Sequence, residues 1–426
     1  MQPFRNQTAR VHSGRVSGRL SRLKEEFSVK GGEILFYTGF IPLLWILLWK
    51  TTAFPQNDRL EFLAMGFFAL CIAAKMVLYD RWKRWEVVAF AVCLVIAGLS
   101  YYKSTFTRPL VFILCVFGAK GLDGRKILKV WLVLSLLNLV LAVSASILGI
   151  VENYSFDWVA DEETISDTKN SLGMIHTTDC AARFFFTVLV AIYLRGERFG
   201  WWDALAVCGL ALLTYYYTGG RIDSGCMAIT AGLFLIQNLA RKYGKPRNPY
   251  TAYEPGGKIL RTGALVSFPC FASLSFFLCT VYQKGGALEK INKWSSQRLS
   301  LGHRTFVDYD VKLFGQYIKM YGNGNGSDFL LIDGAKYNFI DISYQSVLIL
   351  YGAVFFAVVM ILYMALARTR RKDLYLMICI IMITFNCMFA HHLTEIAYIP
   401  FILLLFCSQS DLNIGRNQLG EQRESE

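Results

Sequence analysis

Between residues 295 and 310 the chain reads SSQRLSLGHRTFVDYD and gathers Arg298, His303, Arg304, Asp308 and Asp310. Two guanidiniums can grip phosphate oxygens with planar, bidentate forks, and an imidazole can take a proton. A more prosaic reading pairs Arg304 with Asp308, one turn apart on a surface helix. A second polar feature is TYYYTGGRIDSG, where Gly219, Gly220 and Arg221 form a tight turn between two apolar runs. A guanidinium beside mobile backbone amides cradles an anion. The competing role is an interfacial arginine that snorkels among Tyr215, Tyr216 and Tyr217.

Arg183, in HTTDCAARFFF, sits inside an apolar run. A charge there is expensive and faces a cavity or a partner, and Asp179, one turn earlier, offers simple neutralisation. Lys75 lies close enough to an inner helix end to snorkel. In AHHLTEIAYIP, His391, His392 and Glu395 are clustered. On a helix, adjacent histidines point about 100° apart and chelate poorly, so capping or solvent contact is expected of them.

The elements that position these groups follow from composition. The chain has 426 residues, 54% hydrophobic and 15% aromatic, and its apolar residues come in runs long enough to cross a bilayer. Lipid offers no partner for unpaired backbone, so these runs read as helices. The fold expected is an all-α polytopic membrane protein with about twelve transmembrane helices. They fall at 33–49, 61–79, 86–102, 108–119, 130–150, 173–194, 204–218, 224–240, 263–283, 344–367, 374–390 and 396–408. The fourth, beginning near Pro109, is short for a span and reads as less tilted or partly re-entrant.

Charge orients the bundle. With both termini cytoplasmic, most of the 44 Lys and Arg fall on inner segments, including RWKR, GRKILK, ARKYGKPR and RTRRK beside helix ends. The net charge of +13 is thus a topology signal rather than a nucleic-acid footprint. Residues 1–32 read as a basic cytoplasmic tail lying against anionic lipid, without the form of a signal peptide, and 409–426 as a second cytoplasmic tail. All eleven cysteines lie in apolar runs with no C-x-x-C pair, so neither a disulfide framework nor a zinc site is expected. No internal repeat, Walker A loop or nucleotide fingerprint occurs, which argues against a repeat-built transporter or an ATP-driven pump.

In that orientation two large segments face outward, the acidic loop 151–172 and the long loop 284–343 between helices 9 and 10. Long loops are uncommon unless functional, and one rich in Tyr, Asn, Asp, Arg and Gly suits a solvated carbohydrate or phosphate site.

The order of an acidic outer loop, an NSLGM helix entry, a TGGR turn, a long outer loop and YNFIDISYQSVLILYG resembles the O-antigen polymerase and ligase (Wzy-type) family, over residues from about 150 to 408. Members of that family show an Asn-x-x-Gly entry, matched by Asn170 and Gly173, and a Thr-Gly-Ser-Arg turn. Gly220 stands where Ser is usual, and the Arg221 match is intact. Counting back from Gly352, Asp341 occupies the position of the ligases' His, with Ser343 and Tyr344 following, which looks more like the Asp-Asn-Ser-Tyr run of the polysaccharide polymerases.

The resemblance implies a metal-independent, inverting glycosyltransferase of the bacterial plasma membrane that needs no cofactor. Its donor would be a glycan on undecaprenyl pyrophosphate and its acceptor a sugar hydroxyl on another lipid-linked repeat unit. A flippase and a chain-length regulator would be further partners, and nucleic acid would not. Arg298, Arg304, Arg221 and Arg183 would hold the pyrophosphate as its charge grows, with Tyr344 beside the substrate. His303 or Asp341 would accept the acceptor's proton. Motif position favours Asp341, with His303 orienting phosphate or acceptor. A ligase would share the donor and differ only in acceptor. A lipid-linked oligosaccharide flippase would line its inner helix faces with the polar residues that here gather outside.

Overall fold

The computed structural model describes residues 30–159, 165–243, 256–320 and 338–408. Both expected tails, apart from residues 30–32 of the first, and the middle of the second loop, residues 321–337, lie outside the described residues. Helices dominate, as lipid demands of a spanning backbone. In chain order they are α1 (Lys30–Trp49), α2 (Asp58–Leu78), α3 (Arg84–Ser104), α4 (Arg108–Gly118), α5 (Gly124–Ile147), α6 (Thr177–Arg195), α7 (Trp201–Thr218), α8 (Arg221–Tyr243) and α9 (Gly257–Val281). Then follow two short helices, α10 (Glu289–Trp294) and α11 (Arg298–Asp308), and α12 (Ser343–Ser346), α13 (Ala353–Thr369) and α14 (Leu374–Asn386).

Among the described residues, seven helices are long and apolar enough to cross a membrane: α1, α2, α3, α5, the α6 helix, α8 and α9. Three shorter apolar helices, α4, α13 and α14, complete the apolar set. The chain is therefore an all-α, multi-pass membrane protein. The apolar residues that face away from the bundle, among them Val88, Val92 and Val95 on α3 and Leu205, Leu212 and Leu213 on α7, are exposed as a lipid-facing surface requires.

Three expected elements differ in form. The stretch 344–367 is not one helix: α12 runs into a π-helical turn, Val347–Tyr351, and breaks at Gly352. Gly352 has φ +96, and a Cβ there would lie 2.3 Å from the Gly315 backbone nitrogen. The segment after α11 docks against this break, with Gln316 N donating to Leu350 O and Ala353 N to Lys312 O. The last expected span, 396–408, is a tighter 3-10 helix over Pro400–Leu405. The loop 151–172 carries an antiparallel hairpin, β1 (Ser155–Val159) and β2 (Ile165–Asn170), pairing Ser155 with Asn170.

Between α14 and the 3-10 helix, residues 387–399 cross the bundle without regular structure. Irregular backbone buried among helices must find partners for its carbonyls. Three buried side chains supply them: Tyr363 donates to Leu393 O at 3.0 Å, Trp131 to Ile396 O at 2.7 Å and Arg183 to Ala397 O. Ser343, at the start of α12, pins the other side through Ser343 N to Ala390 O at 3.0 Å and Leu393 N to Ser343 Oγ at 3.1 Å.

Opposite this end of the bundle lies a basic end. Lys75 is buried there and bonds both Asp80 and the Lys120 carbonyl, and Arg370 bonds Leu404 O and Cys407 O.

Candidate functional site

The site forms where four chain segments meet at the end of the bundle that carries the hairpin. α6 begins at the His176 cap, whose ring nitrogen accepts from Thr178 N, and it presents Thr178 to a pocket. α7 ends at Gly219, which has φ +64 and donates its N–H to Tyr215 O, so a left-handed residue closes the helix and turns the chain directly into α8. Gly220, Arg221 and Asp223 then line the pocket. A third wall comes from Ser295, Ser296 and Arg298, and the fourth from Phe389, Ala390, His391 and His392.

Gly220 is explained by packing. A Cβ there would lie 2.2 Å from the Ala181 Cβ, so α8 can start this close to α6 only without a side chain. Any larger residue at 220 would therefore meet Ala181.

Two of the expected arginines converge on the pocket, Arg221 from the start of α8 and Arg298 from the start of α11. Lys169 of β2 reaches the same rim, because its side chain lies over Gly219. Burial and the adjacent Arg221 guanidinium push the Lys169 ammonium below its ordinary value. Burial, together with Arg298 and Lys169, lowers His176 to about 4. Arg221, Arg298 and Lys169 thus gather positive charge at the pocket rim beside the start of α8, with Asp223 in the same wall and Asp341 paired to Arg298.

Arg298 is not independent of Asp341. The two form an ion pair, with side chains 13% and 7% exposed. Asp341 thus stands behind the pocket wall, holding the guanidinium that faces it. Asp223, also in the wall, accepts from Asn386 Nδ2 at 2.8 Å and ties α8 to the end of α14.

The other expected residues lie elsewhere. Arg304 pairs with Asp308 at 3.1 Å on α11, as the surface-helix reading has it. His303 shares a hydrogen bond of 2.9 Å between Nδ1 and Cys279 O and packs against Tyr282, outside the pocket wall. Tyr344 is fully buried and donates to Thr384 O at 2.6 Å. Arg183 is 1% exposed and serves the irregular segment, with its guanidinium 5.5 Å from the Tyr398 ring. Asp179 faces the histidine pair rather than neutralising Arg183: its Oδ1 is 3.6 Å from His392 Nε2 and 4.0 Å from His391 Nε2. Asn170 and Gly173 are structural. Asn170 accepts from Asn153, and Gly173, with φ +80, packs where a Cβ would meet Ala142 O at 2.3 Å.

His391 and His392 are the pocket residues for which the sequence suggested only capping or solvent contact. Because α14 ends at Asn386, the helical 100° separation does not apply, and the two rings lie 4.1 Å apart with both reaching Asp179. Glu395 stands on their other side, 3.5 Å from His392 Nδ1, and is itself paired with Arg108 at 3.0 Å. Burial pushes the His391 imidazole well below its ordinary range, and His392, Arg108 and Arg298 act in the same direction against Glu395. At Glu395 the effect of burial is outweighed by Arg108 and His392, which hold its carboxyl well below the usual carboxylate range. The sequence signal for this cluster was the carboxylate three and four residues beyond the two histidines.

No family model, curated protein or solved structure matches the chain. The class defined by the fold is that of a multi-pass, all-α membrane protein, with a pocket lined by Arg221 and Arg298 at one end of its bundle.

Proposed function

We propose that the chain is a membrane-embedded glycosyltransferase that polymerises lipid-linked repeat units of a surface polysaccharide on the outer face of the bacterial plasma membrane. On this reading the bundle has about twelve crossings, both termini are cytoplasmic, and the pocket end faces outward. The basic end around Lys75, Lys120 and Arg370 is then the cytoplasmic one, as positive-inside bias favours.

The observation that carries the reading is the convergence of Arg221 and Arg298 on one pocket, with Lys169 at its rim. An undecaprenyl-pyrophosphate glycan is already activated, so the protein must bind its pyrophosphate, stabilise the growing charge and accept one proton. The two guanidiniums bind phosphate oxygens. The acceptor's hydroxyl oxygen forms a bond to the anomeric carbon, the bond from that carbon to the pyrophosphate oxygen breaks, and the electron pair leaves on the lipid pyrophosphate. Arg298 exchanges Asp341 for the phosphate, and the released carboxylate takes the hydroxyl proton. His303 acts from behind the wall, positioning α11 against α9 through Cys279 O.

Attachment to a different acceptor, as in a ligase, uses the same donor chemistry. A flippase is disfavoured by the gathering of the pocket's charged groups at one end of the bundle. In a deletion strain the polymerase reading expects single lipid-linked repeats to accumulate while long surface polysaccharide disappears. Polymer of normal length on an unaltered lipid carrier would reject it, and full-length polymer left unattached would assign the chain to the ligases.

A further inference from the structure

We propose that Asp179, His391 and His392 form a binding site for one divalent first-row transition ion in the wall of the pocket. Their ligating atoms, one carboxylate oxygen and two imidazole nitrogens, all lie within 4.8 Å of one another. A tetrahedral ion with bonds of about 2.1 Å holds its ligands roughly 3.4 Å apart. Asp179 Oδ1 lies 3.6 and 4.0 Å from the two rings' Nε2 atoms, so the three ligands reach one ion by drawing together from separations that stay within 4.8 Å.

The surroundings fit a ligand set better than a chance cluster. His392 turns Nε2 toward Asp179, and its other nitrogen, Nδ1, lies 3.5 Å from Glu395 Oε2. A carboxylate behind the second nitrogen fixes the ring and its tautomer in metal sites. Arg108 orients that carboxylate at 3.0 Å, and Tyr398 stacks on the His392 ring at 3.7 Å with an interplanar angle of 16°. The backbone beneath is held by Ser343, so the ligands rest on a fixed frame.

The ligand types select the ion. Two imidazoles and a carboxylate suit zinc and its first-row neighbours, whereas calcium and magnesium take oxygen ligands almost exclusively. Three protein ligands leave a fourth position, and His391 and His392 line the same pocket as Arg221 and Arg298. An ion there would add its charge to that of the guanidiniums beside the same phosphate oxygens, with proton acceptance left to Asp341 as in the transfer step proposed above. The positive groups facing the cluster are Arg108 from α4 and Arg298 from α11, with Glu395 opposing them.

The test uses full-length protein purified in detergent, stripped with chelator and titrated with zinc or cobalt in the absence of any glycan. Elemental analysis should find one zinc per folded chain, and cobalt should give the intense visible bands of a four-coordinate site. Asp179→Asn and His392→Gln should each lose the bound ion, whereas His303→Gln, outside the cluster, should keep it. Wild-type protein that stays monodisperse yet gives only the faint spectrum of hydrated cobalt would overturn the proposal even where the variants fail to fold. Undiminished stoichiometry in folded Asp179→Asn and His392→Gln would overturn it equally. Because no substrate is present, failure here leaves the transferase reading standing, and failure of transfer leaves a bound ion intact.

Discussion

Arg298, the first residue of α11, and Asp341, two residues before α12, form a nearly buried ion pair whose guanidinium faces the pocket. The pair closes the long segment between α9 and α12 onto the bundle, so it has both a structural and a chemical consequence. Removing one partner takes away the ion pair that balances the other charge at a largely buried position. Asp341→Asn should therefore lower stability by about 3 kcal/mol, while the double replacement Arg298→Met with Asp341→Leu should recover most of that loss. Thermal unfolding of the single and double variants in one detergent measures both, and transfer activity should be absent from the double variant despite its stability.

Arg221 should tolerate no replacement by lysine. A lysine keeps the charge but offers a point where a planar fork is wanted, and Arg221→Lys should reduce polymer formation by about a hundredfold at normal expression. Polymer length on gels, normalised to protein in the membrane, reads the effect. Near-normal length would reduce Arg221 to an interfacial anchor.

Gly220→Ser should destabilise the protein by about 1 to 3 kcal/mol, because its Cβ would overlap Ala181. Adding Ala181→Gly should relieve much of the cost, a coupling that a thermal double-mutant cycle detects.

His176 gives a pH dependence. Its folded value, about 4, lies below the ordinary 6.5, so the unfolded chain binds the extra proton between those values. Stability from this group is fully present above pH 6.5 and is lost as pH falls toward 4, by up to about 3 kcal/mol. His176→Asn keeps a capping side chain and should flatten the acid limb of the stability profile relative to wild type. An unchanged limb would show that His176 does not titrate this way.

The helices were largely legible because lipid forces apolar runs into one backbone form. Where tertiary contact overrides that rule, the sequence is silent. The break at Gly352 depends on Gly315 arriving from the preceding loop, and the irregular segment 387–399 exists because Trp131, Arg183 and Tyr363, all distant in sequence, satisfy its carbonyls. The same contacts decided the site. Arg221 and Arg298 were visible as charges beside turns, but Arg183 and Tyr344 proved to be internal donors. His391 and His392 were undervalued because they were read on a helix that ends at Asn386.

The orientation can be checked with an impermeant thiol reagent. Cysteines placed at Lys290, on the pocket side, and at Arg371, at the basic end, are both on exposed positions. Labelling in intact cells above the background of the native thiols is expected at 290 and not at 371. The reverse pattern would place the pocket inside.

Purified protein, reconstituted in liposomes with lipid-linked repeat units as both donor and acceptor, puts the central claim to its most direct test. Wild type should convert single repeats into dimers and longer chains with stoichiometric release of undecaprenyl pyrophosphate, and Arg221→Lys and Arg298→Lys should each reduce both signals together by about a hundredfold. Release-free liposomes with wild-type protein that is folded and correctly oriented, or equal turnover in the two arginine variants, would contradict the assignment of this pocket to glycosyl transfer.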